Sequence, residues 1–368
     1  MTLSRRKAIA LIGGGTIFAA GAASAAFLTT RTPGRALAPW DLAGSYADPR
    51  ERALSFALLA PNPHNLQPWL VALEGEDALT LHQDTARRLP ETDPYDRQII
   101  IGLGCFLEQM VIAASADGYD VDLALYPDGE DGPVARAVFA PGGTPDPLAA
   151  HIMDRRSCKE PFEDRALPAS AVETLTGYAD VVIDPARVAE IKELTWDAWL
   201  VEMQTERTLM ESVDLMRFGK AEINANPDGI DLGGPFLESL MLAGILSREG
   251  QADPDSSGFQ QGVAMYEEML LATPAYAVLR SGGNTRADQI EAGRRWLRLN
   301  LATTGMGLAL QPVSQCLQEY PEMAPHYKRA HALMAGQGET VQMLGRLGYG
   351  PQTPRTPRWP LEAKRMNA

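Results

Sequence analysis

Two stretches of this chain repeat one apolar rhythm. Over 101–118, Leu103, Leu107, Met110 and Ala114 recur at helical spacing and Gly118 closes the run; 290–307 reads the same way and closes on Gly307. Placed in register, Gly104 falls on Gly293, Met110 on Leu299 and Ala113 on Ala302. Each predicted helix feeds an apolar run read as a strand, 121–125 after the first and 308–313 after the second. Amphipathic helices that end in glycine look alike in general, so an internal repeat needs a second line of support.

The remaining pattern predicts a helix over 51–59, a β-hairpin of 69–73 and 78–83 around Gly75, and a second pair from 121–125 and 134–139. A short helix over 145–154, a helix over 168–177, a strand at 181–183, a long helix from 185 to about 207 and a last strand over 341–349 follow. Helices interspersed with short strands and hairpins indicate an α+β fold. No G-x-G-x-x-G opens a helix after a strand, so a Rossmann site is not supported. The segment 212–262 is punctuated by Phe218-Gly219, Pro227-Asp228-Gly229 and Gly233-Gly234-Pro235 before an apolar helix over 236–245. An insertion of this kind is expected to be either a helical hairpin packed on the core or a lid.

The start of the chain has a different character. Ser4-Arg5-Arg6-Lys7 is basic, and 8–26 is rich in Gly and Ala and free of charge, with Ala23-Ser24-Ala25 as a cleavage candidate. Residues 1–30 read as an export signal. The paired arginines and modest hydrophobicity resemble a twin-arginine signal, although Ala8 stands where Phe is usual; a Sec signal or an uncleaved membrane anchor stays open. The expected location is therefore exported, in the periplasm by the twin-arginine route. No later run is read as a membrane span. The remaining length suits two domains of ordinary size. A formal net charge of −14 disfavours nucleic acid and anionic lipid as partners. Cys105, Cys158 and Cys316 have neither a disulfide pattern nor metal spacing, so each is read as a small buried residue and no metal is expected.

Two short segments carry the candidate chemistry: Ala60-Pro61-Asn62-Pro63-His64-Asn65-Leu66-Gln67-Pro68-Trp69, a proline-broken loop between apolar runs, and Arg155-Arg156-Ser157-Cys158-Lys159. The first resembles the A-P-S-S-x-N-x-Q-P-W loop of the nitroreductase-like flavoproteins, and the second resembles their R-R-S turn. In that family the turn normally precedes the loop within one domain; here it follows, and the second half has no such loop. This order resembles the fused nitroreductase-like proteins of the Acg type, over about 50–362. The resemblance implies a nitroreductase-like fold of two degenerate halves joined as a pseudo-dimer, 45–150 and 151–362, with a lid-like insertion over 212–262. Both halves of a flavin site that is usually shared between two chains would then lie in one, so a monomer would suffice to bind the cofactor.

The cofactor implied is FMN. Its dianionic phosphate needs fixed cations, its pyrimidine edge a nearby positive charge, and its N5 a main-chain donor. By resemblance Arg155, Arg156 and Ser157 serve the phosphate and ribityl chain, and Lys159 the pyrimidine edge. Pro61, Asn62 and Asn65 contact the ring; Pro312, Ser314 and Gln315 form the loop that offers the N5 donor; Arg355 or, by preference, Arg358 closes on the phosphate from the C-terminal tail. Asn62 and Pro63 replace two serines of the family pattern. His64 is a weak candidate proton donor. The function implied is hydride or electron transfer to a small oxidised acceptor, a nitro compound or quinone, with NAD(P)H or a periplasmic redox partner as electron donor. The alternative is a non-catalytic FMN store with its lid closed over the flavin.

Overall fold

The computed structural model describes residues 30–366, so the export-signal reading lies, but for its last position, outside the described residues. The first half contributes α1 (Gly34–Leu42), α2 (Pro49–Ala57), the hairpin β1 (Trp69–Glu74) and β2 (Ala78–Gln83), the helix α3 (Arg97–Ala116), and β3 (Tyr119–Leu125) with β4 (Ala135–Pro141). The second opens with α4 (Ala169–Thr176) and β5 (Asp180–Val182). A long excursion follows through α5 (Pro185–Gln204), α6 (Glu206–Asp214), β6 (Met216–Phe218), α7 (Gly219–Ala225), β7 (Ile230–Leu232), α8 (Pro235–Leu242), α9 (Arg248–Gln251) and α10 (Ser257–Leu271). The chain returns through β8 (Ala275–Ser281), α11 (Arg286–Gly305), β9 (Ala309–Pro312), α12 (Ala324–Met334) and β10 (Thr340–Gly348).

The two large sheets share one topology. The orders are β1-β2-β4-β3 and β5-β8-β10-β9, every neighbour is antiparallel, and in each half the long helix separates the second strand from the third. The excursion 183–274 stands where the first sheet has its tight turn at Gly75, so it is wider than the expected 212–262 and already begins with α5. The α+β class holds. Sequence reasoning missed β8, because Ala275 to Leu279 is a continuous buried run with no alternation to mark it as a strand. The helix expected to reach about 207 breaks at Thr205, whose extended backbone (φ −87°, ψ 110°) separates α5 from α6.

Local signals place the helix starts. Pro49 follows Asp48, whose carboxylate accepts from the Arg50 amide at 2.8 Å; Pro185 follows Asp184, which accepts from Arg187. Thr285 and Asp288 close a reciprocal capping box at α11. No later membrane span was expected, yet α3 is long and apolar enough to cross a bilayer by length and composition. Its apolarity has another cause: 83% of its most apolar stretch is buried inside the protein, within a single core cluster that draws residues from both large sheets.

The centre of that core is a glycine-to-glycine crossing of α3 and α11. A Cβ on Gly104 would strike the Ile290 carbonyl oxygen and lie 3.0 Å from the Gly293 Cα. A Cβ on Gly293 would strike the Ile101 carbonyl oxygen and lie 2.9 Å from the Gly104 Cα. The contact is reciprocal: each glycine meets the other helix's backbone one turn before its partner. Cys105 fills the flank and donates its thiol to the Gly293 carbonyl at 3.1 Å.

Gly104→Ala or Gly293→Ala should destabilise by about 3 kcal/mol or more, because only backbone can yield. Gly262→Ala, in the interior of α10 with no atom near its missing Cβ, should instead stabilise by roughly 0.5–1 kcal/mol. Denaturant unfolding of the three variants checks both signs, and equal effects would remove the crossing from its central place.

Candidate functional site

The loop after α2 is built to hold an unusual backbone. His64, Asn65 and Gln67 all take positive φ (46°, 53° and 54°), a region in which Asn and His are enriched. Asn62 closes the loop from within: its amide donates to the Ala60 carbonyl at 3.1 Å and its oxygen accepts from the Gln67 backbone N–H at 2.8 Å. The loop rests on α3 because Gly102 leaves room; a Cβ there would lie 3.1 Å from Pro63 and 3.2 Å from Asn62.

Onto this loop the fold brings three arginines from two distant segments. Arg155 is buried and donates from Nη2 to the Leu59 carbonyl at 2.9 Å, while its Nε and Nη1 have no partner. Arg156 caps its own turn through the Met153 and Arg155 carbonyls, lies over the Trp40 ring at 4.5 Å, and leaves Nε unpartnered. Arg358 is buried and donates to the carbonyls of Leu58 (2.7 Å), Leu59 (3.1 Å) and Ala60 (3.3 Å) and to Asn65 Oδ1 (2.6 Å). None of the three has a carboxylate within ion-pairing distance among the described residues. Burial and mutual repulsion act on them together. Burial and then Arg156 bring Arg155 down to about 10; burial and then Arg155 bring Arg358 down to about 9; burial and then Arg355 lower Arg156.

Asn65 therefore holds Arg358 rather than facing free space, since its amide also donates to the Pro357 carbonyl at 3.0 Å. Arg355 is exposed and pairs with Asp41 at 2.9 Å, so of the two tail arginines Arg358 is the one buried with Arg155. Pro61 and Ser157 are half-buried beside these groups in their segments. Lys159 is exposed, and close enough to lower His64 and Asp231 electrostatically. The 312–315 segment adjoins the turn through a Cys158 N–H to Leu310 carbonyl bond at 3.2 Å at the neighbouring strand position. Pro312 ends β9 and pairs with Gly345, Ser314 is buried with its hydroxyl spent on the Leu344 carbonyl, and Gln315 starts a 3-10 turn. Arg97 at the start of α3 grips that turn through the Leu317 carbonyl at 2.6 Å. Cys105, Cys158 and Cys316 are all buried free thiols, and burial pushes each of them up.

Sequence reasoning missed the lock around this cluster. Gln67 donates to the Pro227 carbonyl at 2.7 Å and accepts from the Trp359 amide at 2.8 Å, and buried Lys364 donates to the Gln67 carbonyl at 2.7 Å. Asp228 of the excursion takes Arg87 at 2.5 Å, Arg217 at 2.8 Å and the Trp359 indole at 2.8 Å. Burial would raise the Asp228 carboxyl, but these three donors outweigh it and hold it low. Asp231, three residues on, is raised by burial against the pull of Lys159 and Arg358. Trp40, which carries Arg156, lies on α1, a helix the periodicity did not predict.

Against known proteins, the chain is 25% identical over 344 residues to a Mycobacterium tuberculosis protein named as a candidate NAD(P)H nitroreductase, covering 85% of this chain and 92% of that one. The similarity runs along most of both chains. A second such protein of the same organism, named acg, is 23% identical over 84% of this chain and 93% of its own length. The resemblance read from the two motifs thus extends along nearly the whole described chain. No family model matches it. Among solved structures, the FMN-dependent nitroreductase NfnB of Mycobacterium smegmatis in complex with NADPH aligns at a TM-score of 0.38 and 18% identity, over 60% of this chain and 98% of that one.

His64 was the weak candidate for proton donation. Burial, and next the Lys159 charge, bring it down to about 4, so it is neutral at neutral pH and holds no spare proton there. A base lowered on folding weakens the protein as pH falls from its unfolded value near 6.5 towards 4. His64→Asn, which tolerates the same positive φ, should remove on the order of 1–2 kcal/mol of that acid-side loss. Histidine NMR should place the His64 midpoint near 4, and a midpoint near 6.5 would contradict the burial argument.

Proposed function

We propose that this chain is an FMN-dependent oxidoreductase of nitroreductase type, taking hydride from NAD(P)H and delivering electrons to a small oxidised acceptor of the nitro or quinone kind. The observation that carries the reading is the cluster of Arg155, Arg156 and Arg358: cations packed together with no carboxylate at ion-pairing distance among the described residues, and with N–H groups of Arg155 and Arg156 left unpartnered. Buried charge of this kind is costly unless an anion joins it, and a phosphate dianion supplies both the charge and the acceptor oxygens. The names of the relatives point the same way.

In this reading Arg155, Arg156 and Arg358 hold the phosphate, Lys159 supplies the cation for the pyrimidine edge, and the 61–65 and 312–315 segments flank the ring. FMN, when bound, supplies the two-electron carrier. The chain's residues bind, orient and exclude water. Neutral His64 is left as a hydrogen-bonding wall, and the excursion, pinned through Asp228, covers the loop. The shared strand order and the reciprocal glycine contact support two fused copies of one ancestral half, so that a single chain completes the site. Export in the folded state, with the cofactor on board, belongs to the same reading of residues 1–30. A second reading, a flavin store, is favoured by the Asp228 lock, because three donors hold the cover shut.

Anaerobic titration of the flavin-loaded protein separates the two. Rapid bleaching by NADPH or NADH is expected for the reductase; bleaching by dithionite alone would select the store. Arg155→Met should weaken FMN binding about 10- to 100-fold. The same change should raise the melting temperature of the flavin-free protein by about 2 °C, because it removes an unpaired buried charge. A lower melting temperature with unchanged flavin affinity would make Arg155 structural and remove the phosphate assignment.

A further inference from the structure

Helix α8 half-buries Leu237, Leu240 and Met241 but also buries its charge and leaves two large apolar side chains outside. Its one charged side chain, Glu238, is buried at 8% exposure, while Phe236 is 67% exposed, Leu242 is 78% exposed and Ile245, just past its end, is 41% exposed. A surface helix of a soluble protein normally turns its apolar stripe inward and its charges outward. Here Glu238 is committed inside: it pairs with Arg31 at 3.1 Å and accepts from the Lys220 amide at 3.1 Å. Phe236, Leu242 and Ile245 are left as an exposed apolar face on the excursion, unpartnered among the described residues. Beside it lies a groove of about 470 Å³ lined by Arg31, Phe218, Lys220, Glu238, Met241 and Leu242.

The start of the chain is tied to the same place. Lys220 donates to the Thr30 carbonyl at 2.9 Å, and Arg31 pairs with Glu238. Immediately upstream is the charge-free stretch 8–26. At about 3.5 Å per residue, the few residues between Ala26 and Thr30 keep α8 within roughly 15 Å of wherever that stretch resides. The apolar face therefore lies beside the point from which the chain leads back to that charge-free stretch. The net charge of −14 argues against attraction to an anionic surface, so contact here is apolar and its fitting partner is a zwitterionic lipid surface.

We infer that Phe236, Leu242 and Ile245 form a membrane-docking face that enters the acyl region of a zwitterionic bilayer beside the N-terminal segment. Large apolar side chains moved from water into acyl chains supply the driving force, and the one carboxylate of α8 is paired with Arg31 rather than left single beside them. The inference is independent of the flavin reading, since it needs neither the cofactor nor the arginine cluster.

The test uses the full chain with Leu242→Cys carrying an environment-sensitive fluorophore, and Tyr95→Cys, 63% exposed on the loop before α3, as control; the three native thiols are buried. Phosphatidylcholine vesicles should blue-shift the label at 242, lipids brominated on their acyl chains should quench it, and the label at 95 should not respond. Phe236→Ser, Leu242→Ser and Ile245→Ser together should lower vesicle partition at least tenfold. A label at 242 that stays in water while the protein floats with vesicles would overturn the inference and leave attachment to residues 8–26 alone. A label already shielded without lipid would also overturn it, assigning the face to residues 8–26 if independent of protein concentration and to a second copy if not. Absence of vesicle binding overturns it outright.

Discussion

The contact on which this fold turns is between two backbones. Gly104 and Gly293 let α3 and α11 cross so tightly that each meets the other's carbonyl, and no side chain larger than hydrogen fits at either position. Everything else is hung on that crossing. One core cluster grows around it and takes residues from both sheets. Two positions before Gly104, the same helix offers Gly102 to the 60–68 loop. Thus one short stretch of α3 sets both the distance between the halves and the seat of the candidate site.

The candidate site gathers several energetic costs in one place. Three arginines share a small volume, and burial lowers all three, with repulsion from a neighbouring arginine adding to each. Carbonyls at 58–60 satisfy part of their hydrogen-bonding capacity, but carbonyls carry no net charge, and some N–H groups are left without partners. In the proposed reading the cofactor phosphate is the group that relieves this cost. The C-terminal tail is held in place by the same economy of polar groups. Its backbone joins the edge of the first sheet at Val71, Lys364 grips the Gln67 carbonyl, and Arg358 is thereby delivered to the loop.

Much of the fold was legible. The helical rhythm of 101–118 and 290–307 marked the two helices that cross, and the in-register glycines marked the point of crossing. Caps such as Asp48-Pro49 and Thr285 with Asp288 set helix starts through contacts with near neighbours, a signal that the periodicity reading, which began these helices at 51 and 290, did not use. The excursion was seen only in part, since its glycines announce turns but not that α5 already departs from the sheet. The segments of the site were legible as motifs. The division of labour within them was not: Asn62 and Asn65 have the same chemistry in the sequence, yet one closes its own loop and the other holds Arg358.

By itself the sequence determined what depends on neighbours along the chain: periodicity, caps, turn residues, net charge, and the presence of an arginine pair and a proline-broken loop. Only the tertiary structure decided which arginine loses water, because burial is set by segments hundreds of positions apart; Arg358 is buried against Leu58 to Ala60 while Arg355 stays outside with Asp41. It also decided that Glu238 turns inward and Leu242 outward, against the ordinary rule, because Arg31 and the Lys220 amide are waiting inside for the carboxylate. Local pattern fixes which way a side chain prefers to face. Long-range packing fixes what it meets there, and that meeting sets its charge, its partner and its use.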